Sequence, residues 1–178
     1  MLQEDFMDKE TQSYCTAEEL ALYVSDKYKS EYNVDISAIK LQKALYFLFA
    51  YWGGFVRKSN VNESVEEKIE LPEYLFNDRI EAWTYGPVVP DVYRHNGVIE
   101  LFGTDEDFKE AKQNIKKNPR VVDFIDDLLK DIFSVSDFRL VDISHQDKCW
   151  LDNYNESDEK HNNEIPKDAI INEYLSRV

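Results

Sequence analysis

The stretch that decides the fold of this chain is Lys40-Leu41-Gln42-Lys43-Ala44-Leu45-Tyr46-Phe47-Leu48-Phe49-Ala50-Tyr51-Trp52-Gly53-Gly54. From Ala44 to Trp52 every residue is apolar or aromatic, so a helix here leaves no face for water. Such a helix lies inside a soluble core or a membrane. A membrane span needs roughly 20 apolar residues, which this stretch does not reach even when extended to Val56. The pattern therefore predicts a buried central helix from Ile36 to Trp52, ended by Gly53-Gly54.

Lys43 stands out because it places a charge next to this apolar run. A lysine in such a helix must reach water or a partner, since an unpaired buried charge is costly. We interpret the rest of the stretch from Leu41 to Trp52 as core.

Helix signals surround the central stretch on both sides. Thr16-Ala17-Glu18-Glu19 has the capping-box spacing, in which the hydroxyl and the carboxylate each bond the other residue's backbone N–H. Ser37 is a possible cap of the central helix. Further helices are predicted to begin at Pro90, Thr104, Pro119, Ser136 and Pro166.

Strand signals are confined to the middle of the chain. Arg79 to Tyr85 alternates, with Ile80 and Ala82 on one face and Glu81, Trp83 and Tyr85 on the other, which predicts a short strand ended by Gly86-Pro87. Leu71 to Phe76 is a second short extended piece. We therefore predict a mainly α (α+β) fold of about six helices with a small two-stranded β element. Residues 16–178 form one compact domain in this interpretation, after a flexible N-terminus at residues 1–15.

Charge limits the partners that this chain suits. It has 36 acidic and 21 basic residues, a formal charge of -15. Nucleic acid and anionic membranes attract basic proteins, so we expect neither as a direct partner. A basic protein would be attracted and steered, although acidity can also serve solubility alone. Two cysteines make no disulfide framework, and residues 1–10 lack a signal-peptide core, so we expect a cytoplasmic protein.

Residues suited to catalysis are few. His145 and Cys149 are four residues apart and can share a helical face, as base and nucleophile or as two metal ligands. A structural zinc site needs four ligands, and no second pair has a suitable spacing. The chain has no glycine-rich phosphate loop. We therefore expect no catalytic residue, metal or cofactor, with a hydrolase that uses His145 and Cys149 as the alternative.

The second informative block is Glu81-Ala82-Trp83-Thr84-Tyr85-Gly86-Pro87-Val88-Val89-Pro90-Asp91-Val92-Tyr93. Its prolines restrict the backbone and its aromatic residues offer contact area, two properties of binding surfaces. The alternative is a rigid turn whose Trp83 and Tyr85 pack in the core. The residues predicted to bind a partner are Glu81, Trp83, Tyr85, Gly86, Pro87, Val88, Pro90, Tyr93 and Arg94.

The third block is Ser144-His145-Gln146-Asp147-Lys148-Cys149-Trp150. It has the character of a helix end, at which Asp147 orients His145 and Trp150 closes the core.

Together the three blocks resemble one family. Leu41-Gln42-Lys43-Ala44-Leu45-Tyr46-Phe47 resembles its "LQKLLYY" helix, Ile80 to Tyr93 resembles its "hEAWxYGPVVPxVY" block, and Ser144-His145-Gln146-Asp147 with Trp150 resembles its "SHxxxxPW" close. This is the Panacea family of SocA-like antitoxin domains, which includes phage-associated GepA proteins. Cys149 stands where the family usually has proline. The motif residues to which the resemblance gives a structural or binding role are Leu41, Gln42, Lys43, Tyr46, Ser144, His145, Asp147 and Trp150.

The resemblance implies a binding function rather than catalysis. Family members serve as antitoxins beside a toxin gene and neutralise diverse toxins by direct contact, and one acts as a proteolytic adaptor for a AAA+ protease. For this chain it implies a cognate toxin as partner, which its acidity suggests is basic. A prophage protein that binds and modulates a host factor is the alternative.

Overall fold

The computed structural model describes residues 12–62, 70–93, 104–157 and 163–178. In these ranges the chain is mainly helical with a small β element, which confirms the predicted fold class. There are eight described α-helices rather than about six; α3 is the short helix predicted at Pro90, whereas α7, a single turn, was not predicted. The elements are α1 (Ala17–Tyr32), α2 (Ala38–Asn62), β1 (Glu81–Trp83), β2 (Gly86–Val88), α3 (Pro90–Tyr93), α4 (Asp105–Ile115), α5 (Pro119–Ser134), α6 (Asp137–Ser144), α7 (Lys148–Leu151), α8 (Lys167–Tyr174) and a final 3₁₀ turn (Leu175–Arg177).

Helix α2 is the centre of the fold, as its apolar run predicts. It contacts α1, α5, α6, α8 and β2, so side chains all round its circumference are covered. Tyr46, Phe49 and Trp52 are fully buried, and only Tyr51 in the run from Ala44 to Trp52 is partly exposed. None of the described helices combines the length and apolar character of a transmembrane segment.

The prediction that Gly53-Gly54 ends the central helix is wrong, because α2 continues to Asn62. The two glycines instead allow α8 to approach α2 closely. A Cβ at Gly53 would lie 2.6 Å from the side chain of Ile171, and one at Gly54 would lie 3.1 Å from the backbone of Tyr174. The absence of side chains at these positions therefore fixes the position of α8.

Gly54→Ala is expected to destabilise the fold despite the better helix propensity of alanine. Its methyl group would meet the backbone of Tyr174, which cannot move without shifting α8. Overpacking typically costs about 1–3 kcal/mol, and the propensity gain of roughly 1 kcal/mol offsets part of it. Urea denaturation measures the change, with Val61→Ala on the exposed side of α2 as the control. A Gly54→Ala protein as stable as the control would show that the helix contact is loose.

Side-chain caps fix the starts of several helices. The capping box predicted at Thr16 is present, with reciprocal bonds between Thr16 and Glu19. Ser37 accepts from the backbone N–H of Lys40 at 3.0 Å, as its predicted role requires. Thr104, Asn118 and Ser136 cap α4, α5 and α6 in the same way.

The end of the predicted flexible N-terminus is packed against the fold. Tyr14 and Cys15 are buried, and their N–H groups donate to the carbonyls of Tyr74 and Leu75. These two residues of the segment predicted to be flexible are therefore packed, while residues 1–11 lie outside the described part. The extended piece predicted at Leu71 to Phe76 contributes one isolated bridge, between Ser13 and Tyr74, rather than a strand.

Strands β1 and β2 form an antiparallel hairpin closed by Thr84 and Tyr85. The strand predicted from Arg79 to Tyr85 is β1, which ends at Trp83, and Gly86-Pro87, predicted to follow it only as a stop, belong to β2. Pro87 is tolerated because it pairs with Ala82, whose N–H points away from β2 and donates to the carbonyl of Asn163. The missing N–H of Pro87 therefore removes no bond between the two strands.

Candidate functional site

The three sequence blocks converge on the β1–β2 hairpin. The first turns of α2 lie against β2, and the connection from α6 to α7 reaches the turn between the strands. The hairpin is thus held from both sides by side chains far from it in sequence.

Gln42 holds the end of the hairpin on the α2 side. Its Oε1 accepts from the backbone N–H of Val89 at 2.8 Å, and its Nε2 lies 3.5 Å from the carbonyl of the same residue. A buried backbone amide needs such a partner. Leu41, its neighbour, is buried in the core, so its motif role is structural.

Lys43 contacts the next part of the hairpin. The side chain is only 1% exposed, and its Nζ donates to the carbonyl of Pro87 at 2.8 Å. Burial lowers the pKa of Lys43 to about 7, because desolvation penalises the ammonium form. A backbone carbonyl is thus the partner that the sequence predicts this lysine to need, although it carries no negative charge.

Gly86 makes this approach possible. Its φ is 98°, in the region that favours glycine, and a Cβ there would lie 2.4 Å from the Ser144 Oγ and 3.0 Å from the Lys43 Cε. The Ser144 hydroxyl itself donates to the carbonyl of Val141 at 2.8 Å. Glycine is therefore required at this position both by the backbone and by its neighbours.

Asp147 anchors a buried polar network under the hairpin. Its Oδ2 accepts from the hydroxyls of Tyr46 at 2.5 Å and Tyr174 at 2.6 Å, and its Oδ1 accepts from Arg177 at 2.9 Å. Desolvation, together with the Asp147 carboxylate, raises the pKa of both tyrosines, so their hydroxyls stay protonated and donate. The network ties α2, the α6–α7 connection and the C-terminal turn together.

His145 and Trp150 hold the turn from the opposite side. The Nε2 of His145 lies 3.0 Å from the carbonyl of Thr84, and the Nε1 of Trp150 donates to the carbonyl of Trp83 at 2.9 Å. The two rings stack at 4.2 Å, and Trp150 also stacks on Tyr154. Within the described chain, His145 is thus oriented by Thr84 and Trp150, whereas Asp147 serves the tyrosine network.

A cleft of about 460 Å³ opens between α2 and the hairpin. Trp83 is half-buried and meets Tyr93 edge-on at 4.9 Å, while Tyr93 is 42% and Tyr85 59% exposed. Four residues of the predicted binding set line this cleft, together with two residues of the helix motif and three that the prediction did not include. The residues from the predicted binding set are Trp83, Tyr85, Val88 and Tyr93. Those from the helix motif are Gln42 and Lys43, and those that the prediction did not include are Ala38, Ile39 and Thr84.

Glu81 does not face outward beside Trp83 as the strand alternation predicts. It is 6% exposed, and its carboxylate accepts from the Trp83 Nε1 at 2.9 Å and the Arg79 Nε at 3.1 Å. These bonds draw the carboxylate into the structure. Gly86, Pro87 and Pro90 are also buried, so they shape the backbone rather than offer a surface, and Arg94 lies outside the described residues.

Helical spacing could have found two of the missed cleft residues. Ala38 and Ile39 precede Gln42 and Lys43 by four positions each, so both pairs lie on one face of α2. The presence of two polar residues on that face indicates that it is not wholly core. No such signal marks Tyr174 and Arg177, which reach Asp147 only because α8 folds back across α2.

These features define a mainly helical domain in which a buried central helix and the α6–α7 connection hold a short hairpin at the surface. The family model described as antitoxin SocA-like, Panacea domain matches residues 64–151. This match confirms, over residues 64–151, the resemblance to the Panacea domain of SocA-like antitoxins. The match includes the hairpin and the block from Ser144 to Trp150, and it begins after the Leu41–Phe47 motif. No curated protein and no solved structure gave a significant match.

Proposed function

We propose that this protein is an antitoxin that neutralises a toxin by direct protein–protein contact. The family match supports an antitoxin-like role in general. The observation that carries the more specific proposal is the aromatic cleft formed by Trp83 and Tyr85 of the hairpin and Tyr93 of α3. Tyrosine and tryptophan dominate the energetics of protein interfaces.

The backbone of the hairpin is held in place by other residues of this chain, so it does not need a partner to order it. Gln42 and Lys43 bond its β2 side, and His145 and Trp150 bond the backbone at its turn. A surface held in this way loses little conformational entropy when a partner binds, which favours affinity. The aromatic side chains thus extend from a rigid backbone.

The charge of the chain supports a basic toxin as the partner. With 36 acidic and 21 basic residues, the chain attracts a cationic protein and speeds its approach. The same charge opposes direct contact with nucleic acid. We place this interaction in the cytoplasm, as the composition leads us to expect.

Removing the aromatic side chains is expected to weaken toxin binding. Trp83→Ala and Tyr93→Ala should each cost about 2 kcal/mol or more in affinity, since each removes aromatic contact area from the cleft. The partner is first identified by co-expressing the small reading frames beside this gene and scoring growth rescue. Affinity is then measured by calorimetry on variants that circular dichroism shows to be folded.

Phe138→Ala is the matched control for these variants. Phe138 is an exposed aromatic residue on α6 and does not line the cleft. Its removal should leave both rescue and affinity unchanged. If Trp83→Ala and Tyr93→Ala behave like this control, the toxin binds elsewhere, for example on the acidic surface of the later helices.

An adaptor role for a AAA+ protease is a narrower form of the same proposal. In that case the toxin level in the cell would fall when this protein is expressed, and deletion of the protease would restore it. A toxin that accumulates in an inactive complex would instead support neutralisation by binding alone.

The proposal assigns no catalytic role to His145 or Cys149. The Cys149 thiol lies 3.4 Å from the Tyr46 hydroxyl, and burial raises its pKa to about 12, so little thiolate forms at neutral pH. Toxin neutralisation lost in a folded Cys149→Ala protein that still binds the toxin would favour the hydrolase instead.

A further inference from the structure

The cleft between α2 and the hairpin is apolar except at its α2 side. Apart from Lys43, the described residues of its lining carry no ionic charge, and none is Asp or Glu. Aromatic and aliphatic side chains supply most of the wall, with Trp83 and Val88 on the hairpin, Tyr93 on α3 and Ile39 on α2. A ligand that fits here must therefore be largely apolar and able to meet one cation.

The hydrogen bonding of Lys43 leaves capacity for such a ligand. An ammonium group has three donors, and the structure gives this one a single acceptor, the carbonyl of Pro87. The neighbouring Ser144 hydroxyl is directed to the carbonyl of Val141. Buried ammonium groups are normally paired with a carboxylate, because the cost of desolvation is otherwise too large.

Lys40, one turn earlier on α2, shows how this fold pairs a second buried lysine. Its Nζ bonds the carbonyls of Phe133 and Val135, and it forms an ion pair with Asp137 at 3.6 Å. Lys43 is buried more deeply than Lys40, bonds the carbonyl of Pro87 and lines an open cleft. The contrast points to an anion that comes from outside the chain.

We propose that this cleft binds an apolar segment of the partner toxin that carries one carboxylate, with the carboxylate paired to the Lys43 ammonium and the apolar part packed on Trp83, Tyr93 and Val88. The inference rests on the proposed antitoxin function and adds the chemistry that the cleft recognises. In this proposal the toxin is basic overall but has one carboxylate at the point where it contacts the cleft.

Two further properties support this assignment. A carboxylate bound here would favour the charged form of Lys43 and so raise the pKa that burial lowers, and it would form a charge-assisted hydrogen bond in a site that excludes water. The net charge of -15 attracts a basic protein that carries the carboxylate and so brings the carboxylate to the cleft. The site therefore favours a carboxylate presented by a cationic protein.

The test uses the whole chain and two small probes of the same shape, 3-phenylpropionate and 3-phenylpropionamide. Both are titrated into isotope-labelled protein, and NMR follows the signals of the Trp83 indole and of the backbone amides of Thr84, Tyr85, Gly86 and Val88. We expect the acid to bind about tenfold more tightly than the amide, and at these residues. Equal binding of the two probes, or no shift at millimolar concentration, overturns the proposal without any variant.

Variants then assign the effect to the lysine. Lys43→Met keeps the aliphatic bulk and should remove the preference for the acid, whereas Lys40→Met, outside the cleft, should retain it. Toxin binding is measured separately on the same proteins. A toxin that binds Lys43→Met and the unmodified chain equally well refutes this inference and leaves the antitoxin function intact, whereas no toxin partner at all refutes the function.

Discussion

Tyr46→Asp is expected to abolish folding. Tyr46 is fully buried on α2, and its hydroxyl donates to Asp147 at 2.5 Å. The substitution removes the ring, leaves a cavity and places a second carboxylate beside the first in a water-free site. The expected loss is about 5 kcal/mol or more, comparable to the whole stability of many small domains. Circular dichroism would show reduced helicity and no cooperative melting.

Two further variants separate the causes of this effect. Tyr46→Phe keeps the ring and removes one donor to Asp147, so it should fold with a loss of about 1–2 kcal/mol. Tyr85→Asp introduces the same charge at an exposed position of the hairpin turn and should melt like the unmodified protein. If Tyr46→Asp also melted normally, α2 would have to lie at the surface, contrary to the structure.

Asp147→Asn is expected to cause the second largest loss of stability. The carboxylate accepts from two tyrosine hydroxyls and from Arg177, and an amide removes the charge and replaces one of the two oxygens with an N–H₂ group that cannot accept a hydrogen bond. Breaking a buried ion pair costs about 3–5 kcal/mol, and the partial exposure of Arg177 favours the lower end. Urea denaturation followed by fluorescence measures the change.

The matched control is Asp152→Asn. Asp152 pairs with Lys148 across one helical turn at the surface, so its loss should change stability by at most about 0.5 kcal/mol. An Asp147→Asn protein within about 1 kcal/mol of the original would mean that the network adds little beyond packing.

Local pattern predicted the features of the fold that depend on neighbouring residues. The apolar run from Ala44 to Trp52 predicted the buried helix, and the spacing of Thr16 and Glu19 predicted the capping box. Gly53-Gly54 was misinterpreted because glycine is typical both of helix ends and of close helix contacts. Only the position of α8 decides between them, and α8 is far away in the sequence.

The site was predicted in its parts but not in its assembly. Trp83, Tyr85 and Tyr93 were predicted to bind, and Lys43 was recognised as unusual, yet nothing local indicated that they line one cleft. The strand alternation predicts an exposed Glu81 beside Trp83, whereas its carboxylate is buried and accepts from Arg79 and Trp83. Alternation along a strand reports the direction of the Cβ, whereas hydrogen bonds decide where a long polar side chain ends.

The hairpin is anchored largely through its backbone. Carbonyls at Trp83, Thr84 and Pro87 accept bonds from Trp150, His145 and Lys43, so the anchoring side chains belong to the helices. Replacing Thr84 or Tyr85 at the turn therefore removes none of these three bonds. During evolution, the turn side chains that contact a partner can therefore change while the helices continue to anchor the hairpin backbone. New binding specificity can arise at this turn with little loss of stability.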